Sequence, residues 1–378
     1  MITNILLTDM KHYFLLFILL LVIITIEGCT EELHPETNGT NSPVLNEGEL
    51  TKAVLDLSVN TFAVEAQAET RASIPSNIPE NETSEEKEVH NIWVFQYDAV
   101  TKELLIKPRY YTITDQIMLQ DLPVYLKAGI PSFVYVVTNT GYDNWANDDT
   151  DTSWQKFKNL EQLKKQTLPT AFPLRSIDKV SIPMVGASEE VEVTTGITVT
   201  VPVTRMYAKL KVKVEMLKAE MKLNNVNVRQ IPNICRIETF AGDGNGEPMN
   251  AVPFPDGTTF SSIAFAASDL EKSEDKEWAV FYVPENLQGE IENQGGNKSD
   301  AAPTNALVVD VTAEIGGEKY LYAAYPGGNS LNNFNIQRNQ VYRMTLTITG
   351  EKGQNNPSSN CFVVKPNGFL SFEPYYRV

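Results

Sequence analysis

The fold class of this chain is decided by VEVTTGITVTVPVTRMYAKLKVKVEML, residues 191–217. Apolar and polar residues alternate in both halves of the stretch, which is typical of strands with one buried and one exposed face. In the second half the apolar side chains share one face and the lysines share the other: Leu210, Val212, Val214 against Lys209, Lys211, Lys213. We therefore predict a hairpin over residues 191–204, then a half-exposed antiparallel strand whose lysines face water.

Strand patterns recur along the chain, and helical ones are scarce. The stretches NIWVFQYD (residues 91–98) and SFVYVVTNT (132–140) contain continuous apolar and aromatic runs, which indicate strands covered on both faces. Gly316 and Gly317 predict a tight hairpin within residues 306–326, since two glycines admit the positive φ of such a turn. One short helix is expected over residues 153–166, where an apolar stripe repeats at helical spacing: Trp154, Phe157, Leu160, Leu163.

The length of 378 residues is enough for two domains with separate cores. Many short strands with loops between them favour an all-β fold of two consecutive Greek-key β-sandwiches, of the transthyretin-like kind. We place the boundary near residue 204, where one run of strands ends. The predicted domains are residues 72–204 and 205–350, followed by a tail at 351–378.

Composition argues against several classes of function. The formal net charge is -17, from 31 Lys+Arg and 48 Asp+Glu, and so acidic a surface does not favour binding of nucleic acid. Three histidines exclude a multi-histidine zinc site, and no phosphate-binding loop is present. Two acidic loops, residues 147–154 and 242–248, lack the spacing of an EF-hand, so solvated loops are the favoured interpretation. We predict no catalytic residues, no cofactor and no metal.

The N-terminal segment indicates export. An uncharged apolar run covers residues 13–26, which is too short for the ~20 residues of a membrane-spanning helix. Gly28 and Cys29 follow it directly, and this order resembles the lipobox of bacterial lipoproteins. The resemblance implies a signal peptide at residues 1–28, a lipid on Cys29 and a tether in the outer membrane. A plain secretory signal or an N-terminal anchor helix is the alternative.

Between that tether and the first predicted domain lies VLDLSVNTFAVEAQAETRAS, residues 54–73. Its first half alternates like a strand but has no neighbouring strand in sequence to pair with. Arg71 is the only lysine or arginine between Lys52 and Lys87. The pattern therefore predicts a single strand followed by one accessible basic residue.

Taken together, these pieces resemble the fimbrillin family of Bacteroidetes, the subunits of type V pili and the related anchor and tip lipoproteins. The resemblance is carried, in chain order, by the lipobox, ETRAS, EVHNIWVFQYD, IPMVGASEE, VTRMYAKLKVKVE, YVPENLQG and NFNIQRNQVYRMTLTITG. It implies a shaft or tip subunit without enzymatic activity, found on the outer membrane as a lipoprotein and in the fimbrium after processing.

The same resemblance implies how such a subunit would assemble. A trypsin-like protease cuts between Arg71 and Ala72, and residues 29–71 leave with the first strand. A strand from another fimbrial subunit then fills the vacated groove by β-strand addition. The resemblance places the donor strand at the C-terminus, with these residues: Phe369, Leu370, Phe372, Tyr375, Tyr376, Val378. A host or bacterial surface ligand is implied but not identified.

Two alternatives stay open. One is a lipid-anchored protein that binds glycans through exposed aromatic residues such as Trp145 and Trp154, or a fimbrial anchor that is never cut. The other is a surface hydrolase, which would need a carboxylate pair that the sequence does not single out. Cys235 and Cys361 are compatible with one disulfide or with two buried thiols.

Overall fold

Strands dominate the structure, a computed structural model. The residues it describes are 49–64, 82–113, 120–141, 153–170, 174–178, 181–216, 218–238, 250–273, 276–292, 298–328, 332–348, 362–364, 370–372 and 374–377. All of them belong to the second of two units, Leu45–Val378. The predicted all-β class is confirmed. No helix within these ranges is long and apolar enough to cross a membrane.

The strands in chain order are β1 (Leu50–Val59), β2 (Ala63–Val64), β3 (Asn91–Asp98), β4 (Arg109–Thr112), β5 (Leu122–Lys127), β6 (Pro131–Thr138), β7 (Thr167–Pro169), β8 (Leu174–Arg175), β9 (Met184–Ala187), β10 (Val191–Glu192), β11 (Thr198–Arg205), β12 (Tyr207–Met216), β13 (Lys222–Pro232), β14 (Ile234–Arg236), β15 (Phe260–Ala266), β16 (Ala279–Pro284), β17 (Val308–Ile315), β18 (Glu318–Ala324), β19 (Gln340–Ile348), β20 (Phe362–Val364), β21 (Leu370–Phe372) and β22 (Pro374–Arg377). The described helices are α1 (Leu160–Lys164) and α2 (Ala267–Leu270), with 3-10 turns at Glu85–Lys87, Ser153–Phe157 and Lys298–Ala301.

Sheet A contains the strands of the N-terminal half. Its order is β4-β3-β6-β9-β11-β1-β5, and β10 pairs with β6. One face of this sheet carries a hydrophobic core, which we call core 1. Its members include Leu55, Val94, Val136 and Val201, from four strands of the sheet. Core 1 is therefore built mainly from a single sheet.

The C-terminal half is a sandwich of two sheets. Sheet B has the order β21-β20-β19-β12-β16-β8, with β2 on β19, and sheet E has the order β15-β13-β17-β18-β22. Their facing side chains form core 3, to which Leu210, Phe281 and Met344 contribute from sheet B and Val228 and Val311 from sheet E. This is the face-to-face packing of a β-sandwich.

A further core, core 2, joins sheets A and B. Trp93 and Phe95 reach it from β3, Tyr207 from β12 and Tyr282 from β16. Side chains of β3 alternate between core 1 and core 2, which explains the continuous apolar run at residues 92–95. The strands predicted over residues 91–98 and 132–140 are confirmed, and so is the Gly316–Gly317 hairpin, where β17 pairs with β18 and both glycines have positive φ.

Two strand predictions were wrong. Residues 191–204 do not form a hairpin, because β10 pairs with β6 while β11 pairs with β1 and β9. β12 is antiparallel to β16 but parallel to β19, and Lys209 is buried. The alternation identified the faces of β12 correctly but not what covers them.

The helix prediction also needs correction. The expected helix over residues 153–166 is split into a 3-10 turn and α1, because the backbone of Lys158 and Leu160 bonds to the extended segment at Lys102 and Leu104. Its predicted apolar stripe packs into core 2. A second short helix, α2, was not expected at all.

Candidate functional site

The first strand, β1, lies inside sheet A and not at its edge. It pairs in parallel with β11 over residues 54–59 and antiparallel with β5 over residues 50–55. We call the space between β5 and β11 that it fills the β1 slot. A strand bonded on both sides leaves unpaired N–H and C=O groups on both neighbours if it departs.

Alternate side chains of β1 belong to core 1. Ala53 and Leu55 are fully buried, and Leu57 is 6% exposed. Burying one leucine fully stabilises a fold by about 1.5–3 kcal/mol. An empty β1 slot would therefore expose apolar core as well as unpaired backbone.

Where β1 ends, the chain crosses a buried charged cluster. We call the latch cluster the side chains of Glu82, Glu86, Arg205, Lys209 and Asn339. Glu86 and Arg205 are completely buried, and Lys209 is 4% exposed. Buried charges are tolerated when they are paired and hydrogen-bonded, so the contacts within this cluster decide its function.

The latch cluster contacts the main chain after β1. Arg205 Nη1 donates to the carbonyl oxygen of Asn60 at 2.7 Å, and Asn339 Nδ2 donates to that of Thr61 at 2.7 Å. The Asn60 side chain itself donates to Thr204 Oγ1 at 2.8 Å. Two of these three contacts are independent of the side chains that the first strand carries.

Phe62 is the aromatic partner of the cluster. Its N–H donates to the Glu82 carboxylate at 2.6 Å. The Arg205 guanidinium lies over the Phe62 ring, with its Cζ 4.2 Å from the ring centroid. Lys209 Nζ lies 5.8 Å from the same centroid. A cation over a desolvated ring contributes about 0.5–2 kcal/mol, so Phe62 is held by its ring and by its backbone.

The charges of the latch cluster balance one another. Arg205 Nη1 lies 3.4 Å from Glu82 Oε1, and Lys209 Nζ lies 2.8 Å from Glu86 Oε1. The hydroxyl of Tyr282 also donates to Glu86. Two cations thus face two carboxylates in a water-poor site, and the half-exposed Lys87 also pairs with Glu82 at 2.9 Å. Loss of Lys209 would leave Glu86 without its ammonium partner, whereas Glu82 would keep Lys87 after loss of Arg205.

The cluster changes the proton affinities of its members. Burial lowers the pKa of the Arg205 guanidinium. Burial acts to raise the pKa of Glu82, but hydrogen bonds from Lys87 and the Phe62 backbone, with the charge of Arg205, hold that pKa below its ordinary value. Glu82 is therefore ionised at neutral pH and ready to accept the Phe62 N–H.

Beyond the latch cluster the chain enters sheet B. β2 pairs in parallel with β19 at Gln340 and Val341. The segment at residues 49–64 thus connects sheet A to sheet B. Arg71 and Ala72, the predicted cleavage site, and Cys29, the predicted lipid site, lie outside the described residues.

The predicted donor strand is paired within its own chain in this structure. β20 is antiparallel to β19 and β21 to β20, while β22 is antiparallel to β18. Leu370 and Phe372 lie in β21, and Tyr375 and Tyr376 lie in β22. Phe369 and Val378 fall outside the described residues.

Other residues considered from the sequence do not form a site with these. Trp154 is 7% exposed and packs in core 2, so it is not exposed as the glycan-binding alternative requires. Trp145 and the acidic loops lie outside the described residues, and no group of His, Cys, Asp and Glu suited to a metal occurs within the described ones. Cys235 is a buried free thiol whose pKa burial raises to about 12.

Sequence reasoning missed the latch cluster. One signal was present in β11, where Val201 and Val203 are buried and Arg205 continues the same alternation. An arginine in phase with core residues indicates a buried partner. Glu82 and Asn339 carried no such signal, because they come from loops distant in sequence.

Comparison with known proteins gives the following findings. Residues 281–346 match the model of a domain of unknown function, DUF4906. No curated protein matches the chain.

Among solved structures, the chain is similar to the C-terminally truncated tip fimbrial protein Mfa3 of Porphyromonas gingivalis. The two chains are 14% identical, the TM-score is 0.48, and the match covers 86% of this chain and 100% of that one. A fimbrial assembly protein of Parabacteroides distasonis has 13% identity, a TM-score of 0.45 and coverage of 86% and 98%. A candidate cell adhesion protein of the same organism has 14% identity, a TM-score of 0.49 and coverage of 85% and 98%. These structural neighbours are fimbrial and cell adhesion proteins, the kind of protein that the sequence motifs also resemble.

Proposed function

We propose that this protein is a structural subunit, shaft or tip, of a cell-surface fimbrium that supports adhesion. It is exported as a lipoprotein, carries its lipid on Cys29 and reaches the outer membrane. A trypsin-like protease then cuts between Arg71 and Ala72. The first strand leaves, and a strand of another subunit fills the β1 slot. No step in this assembly requires the protein to act as an enzyme.

The observation that carries the proposal is the position of β1. It is an interior strand, and both strands that it pairs with lie on the C-terminal side of Arg71. One cut at Arg71 separates β1 covalently from both of these strands. Loss of β1 exposes both backbone edges and core side chains, and an added strand restores both.

The C-terminal segment supplies the second component. It is rich in aromatic residues and follows β19, and we propose that its donor residues include Phe369. Pairing of β20, β21 and β22 within one chain represents the subunit before assembly. Exchange would replace these contacts by contacts in a neighbour.

The first experiment is intact mass measurement and N-terminal sequencing of the protein isolated from the native cell surface. We expect a species that begins at Ala72 and that is enriched in polymers. A single species that begins at a lipid-modified Cys29 would contradict the proposal and would favour an unprocessed anchor or a glycan-binding lipoprotein. Binding of the monomer to a glycan panel would then distinguish these two.

A further inference from the structure

The segment that crosses the latch cluster has a counterpart near the C-terminus. Residues 55–62 read LDLSVNTF, and residues 362–369 read FVVKPNGF. Both have apolar residues at the first and third positions, asparagine at the sixth and phenylalanine at the eighth. Of the 16 phenylalanines in the chain, only Phe62 and Phe369 combine an asparagine two residues before with apolar residues five and seven before.

We propose that the latch cluster recognises an Asn-x-Phe motif, and that residues 362–369 of a second copy of this chain occupy the β1 slot with Asn367 in the place of Asn60 and Phe369 in the place of Phe62. This inference rests on the proposed function, because it requires a vacated slot. It adds the register of the incoming strand and the side chains that set it.

Some contacts of the latch cluster would be made with any added strand, and others only with a strand that carries the Asn-x-Phe motif. The hydrogen bonds from Arg205 and Asn339 to successive carbonyl groups would be available to any strand, since they reach main-chain oxygens. The contact with the Arg205 guanidinium requires an aromatic ring, and the hydrogen bond to Thr204 Oγ1 requires a side chain that donates. An asparagine and a phenylalanine at this spacing supply both.

The proline of the C-terminal segment fits the register. In this alignment Pro366 takes the place of Val59. The N–H groups of Val54 and Asn60 donate to the carbonyl oxygens of Ile197 and Val203 at 2.8 and 2.9 Å, on the β11 side of the slot. Every second residue of a strand faces the same neighbour, so the N–H of Val59 faces away from β11. Pairing with β5 ends at Leu55. A residue without an N–H therefore loses no ladder hydrogen bond at this position.

Most of the remaining substitutions match the exposure of the positions that they would take. Lys365 replaces Ser58, and Gly368 replaces Thr61, and both Ser58 and Thr61 are exposed. Val364 takes the place of buried Leu57. Val363 takes the place of Asp56, which is partly exposed and accepts a hydrogen bond from the Asp121 N–H at 2.8 Å, and this contact is lost in the exchange. The buried positions of β1 are apolar in the C-terminal segment as well.

In the single chain, residues 362–364 pair with residues 346–348 of β19. The same segment cannot occupy a neighbour's slot while it makes these bonds. Self-pairing thus competes with assembly, and the contacts at the latch cluster favour the assembled state.

The test uses the full chain with a specific protease site introduced within residues 65–70, so that β1 can be separated from the body whatever happens at Arg71. A fluorescent peptide of residues 360–373 is added to the cut protein, and its exchange for the resident first strand is measured by anisotropy. The native peptide is compared with peptides that carry Phe369→Leu, Asn367→Ala or the matched control Lys365→Ser, which restores the residue of β1 at an exposed position. Substitutions in the peptide leave the folding of the body unchanged.

We expect Phe369→Leu to weaken binding about tenfold and Asn367→Ala roughly threefold to tenfold, with Lys365→Ser within about twofold of the native peptide. Equal binding of all four peptides would overturn motif recognition. Failure of every peptide to exchange would overturn the choice of occupant. The N-terminus and polymer content of the native protein are measured separately, so either result is distinguishable from failure of the proposed function.

Discussion

Arg205 stands where the alternation of β11 predicts an apolar residue, and its surroundings account for the exception. Its Nε donates to the carbonyl oxygen of Glu86 at 2.8 Å, and its Nη1 reaches the carbonyl of Asn60. A buried ion network contributes little over an apolar alternative, but it is strongly destabilised by the loss of one member. Arg205 therefore serves mainly to bind the chain segment that follows β1.

We expect Arg205→Met to lower the free energy of unfolding by about 3–5 kcal/mol, because the carbonyl oxygens of Asn60 and Glu86 would lose a buried charged donor and Glu82 would keep only the half-exposed Lys87 as a counter-ion. Urea denaturation of the full chain measures this. Lys213→Met is the control, since Lys213 forms an exposed pair with Glu277 at 2.7 Å, worth about 0–1 kcal/mol. Equal effects of the two substitutions would show that the latch cluster does not stabilise the fold.

Glu82 should make the stability depend on acid pH. Its folded-state pKa lies below its ordinary value of 4.5, so the folded state binds fewer protons there than the unfolded state. The stabilisation is complete above the ordinary value and is lost as pH falls through the lower folded pKa. Urea midpoints between pH 7 and pH 3 should therefore fall more steeply for the native chain than for Glu82→Gln. Parallel curves would contradict this assignment.

At the scale of the element, β1 lies inside sheet A, and a single chain segment links it to both strands with which it pairs. Sequence reasoning identified β1, β3, β6 and the glycine hairpin because each depends on local alternation or local turn chemistry. It could not give the partner of β1, since the hydroxyls of Thr51 and Thr195 that meet at 2.7 Å are 144 residues apart. The same reason explains the mistaken hairpin at residues 191–204, where each half pairs with a distant strand.

Lys209 shows the other limit of sequence reasoning. Alternation predicts which side chains share a face of β12, but it does not predict whether a second sheet covers that face. Core 2 covers it here at Lys209, which consequently pairs with Glu86. An exposed lysine stripe and a buried lysine give the same sequence pattern.

We expect Leu55→Ala to destabilise the uncut chain by about 2–5 kcal/mol, because it leaves a cavity in core 1. In a chain cut within residues 65–70, the same substitution should accelerate release of the first strand, measured by size exclusion after timed incubation. Ser58→Ala is the matched control, since Ser58 is exposed on the same strand. A release rate that Leu55→Ala leaves unchanged would mean that core 1 does not retain β1.

At the scale of the whole molecule, three cores follow one another: core 1 within sheet A, core 2 between sheets A and B, and core 3 between sheets B and E. The segment at residues 49–64 contributes to the first two. Its removal would leave core 3 untouched, since none of the buried residues of that core comes from this segment. The C-terminal sandwich is therefore expected to persist through processing.

Deletion of residues 369–378 should abolish polymerisation while leaving the thermal unfolding midpoint of the body within a few degrees of the native value. Deletion of residues 373–378 keeps Phe369 but removes Tyr375, Tyr376 and Val378, so it should impair polymerisation less than the longer deletion. Electron microscopy and size exclusion of the processed protein give the readout. Unchanged polymers after the longer deletion would contradict the donor role.

The parallel pairing of β1 with β11 also bears on how a newly made chain folds. Contacts between residues far apart in sequence give a high contact order, and such pairings form slowly because a long loop must close first. During synthesis β1 emerges well before β11, so it cannot be enclosed until its partner has been made. Every nascent molecule therefore passes through a state in which the place of its first strand is still open, as it is again after proteolysis.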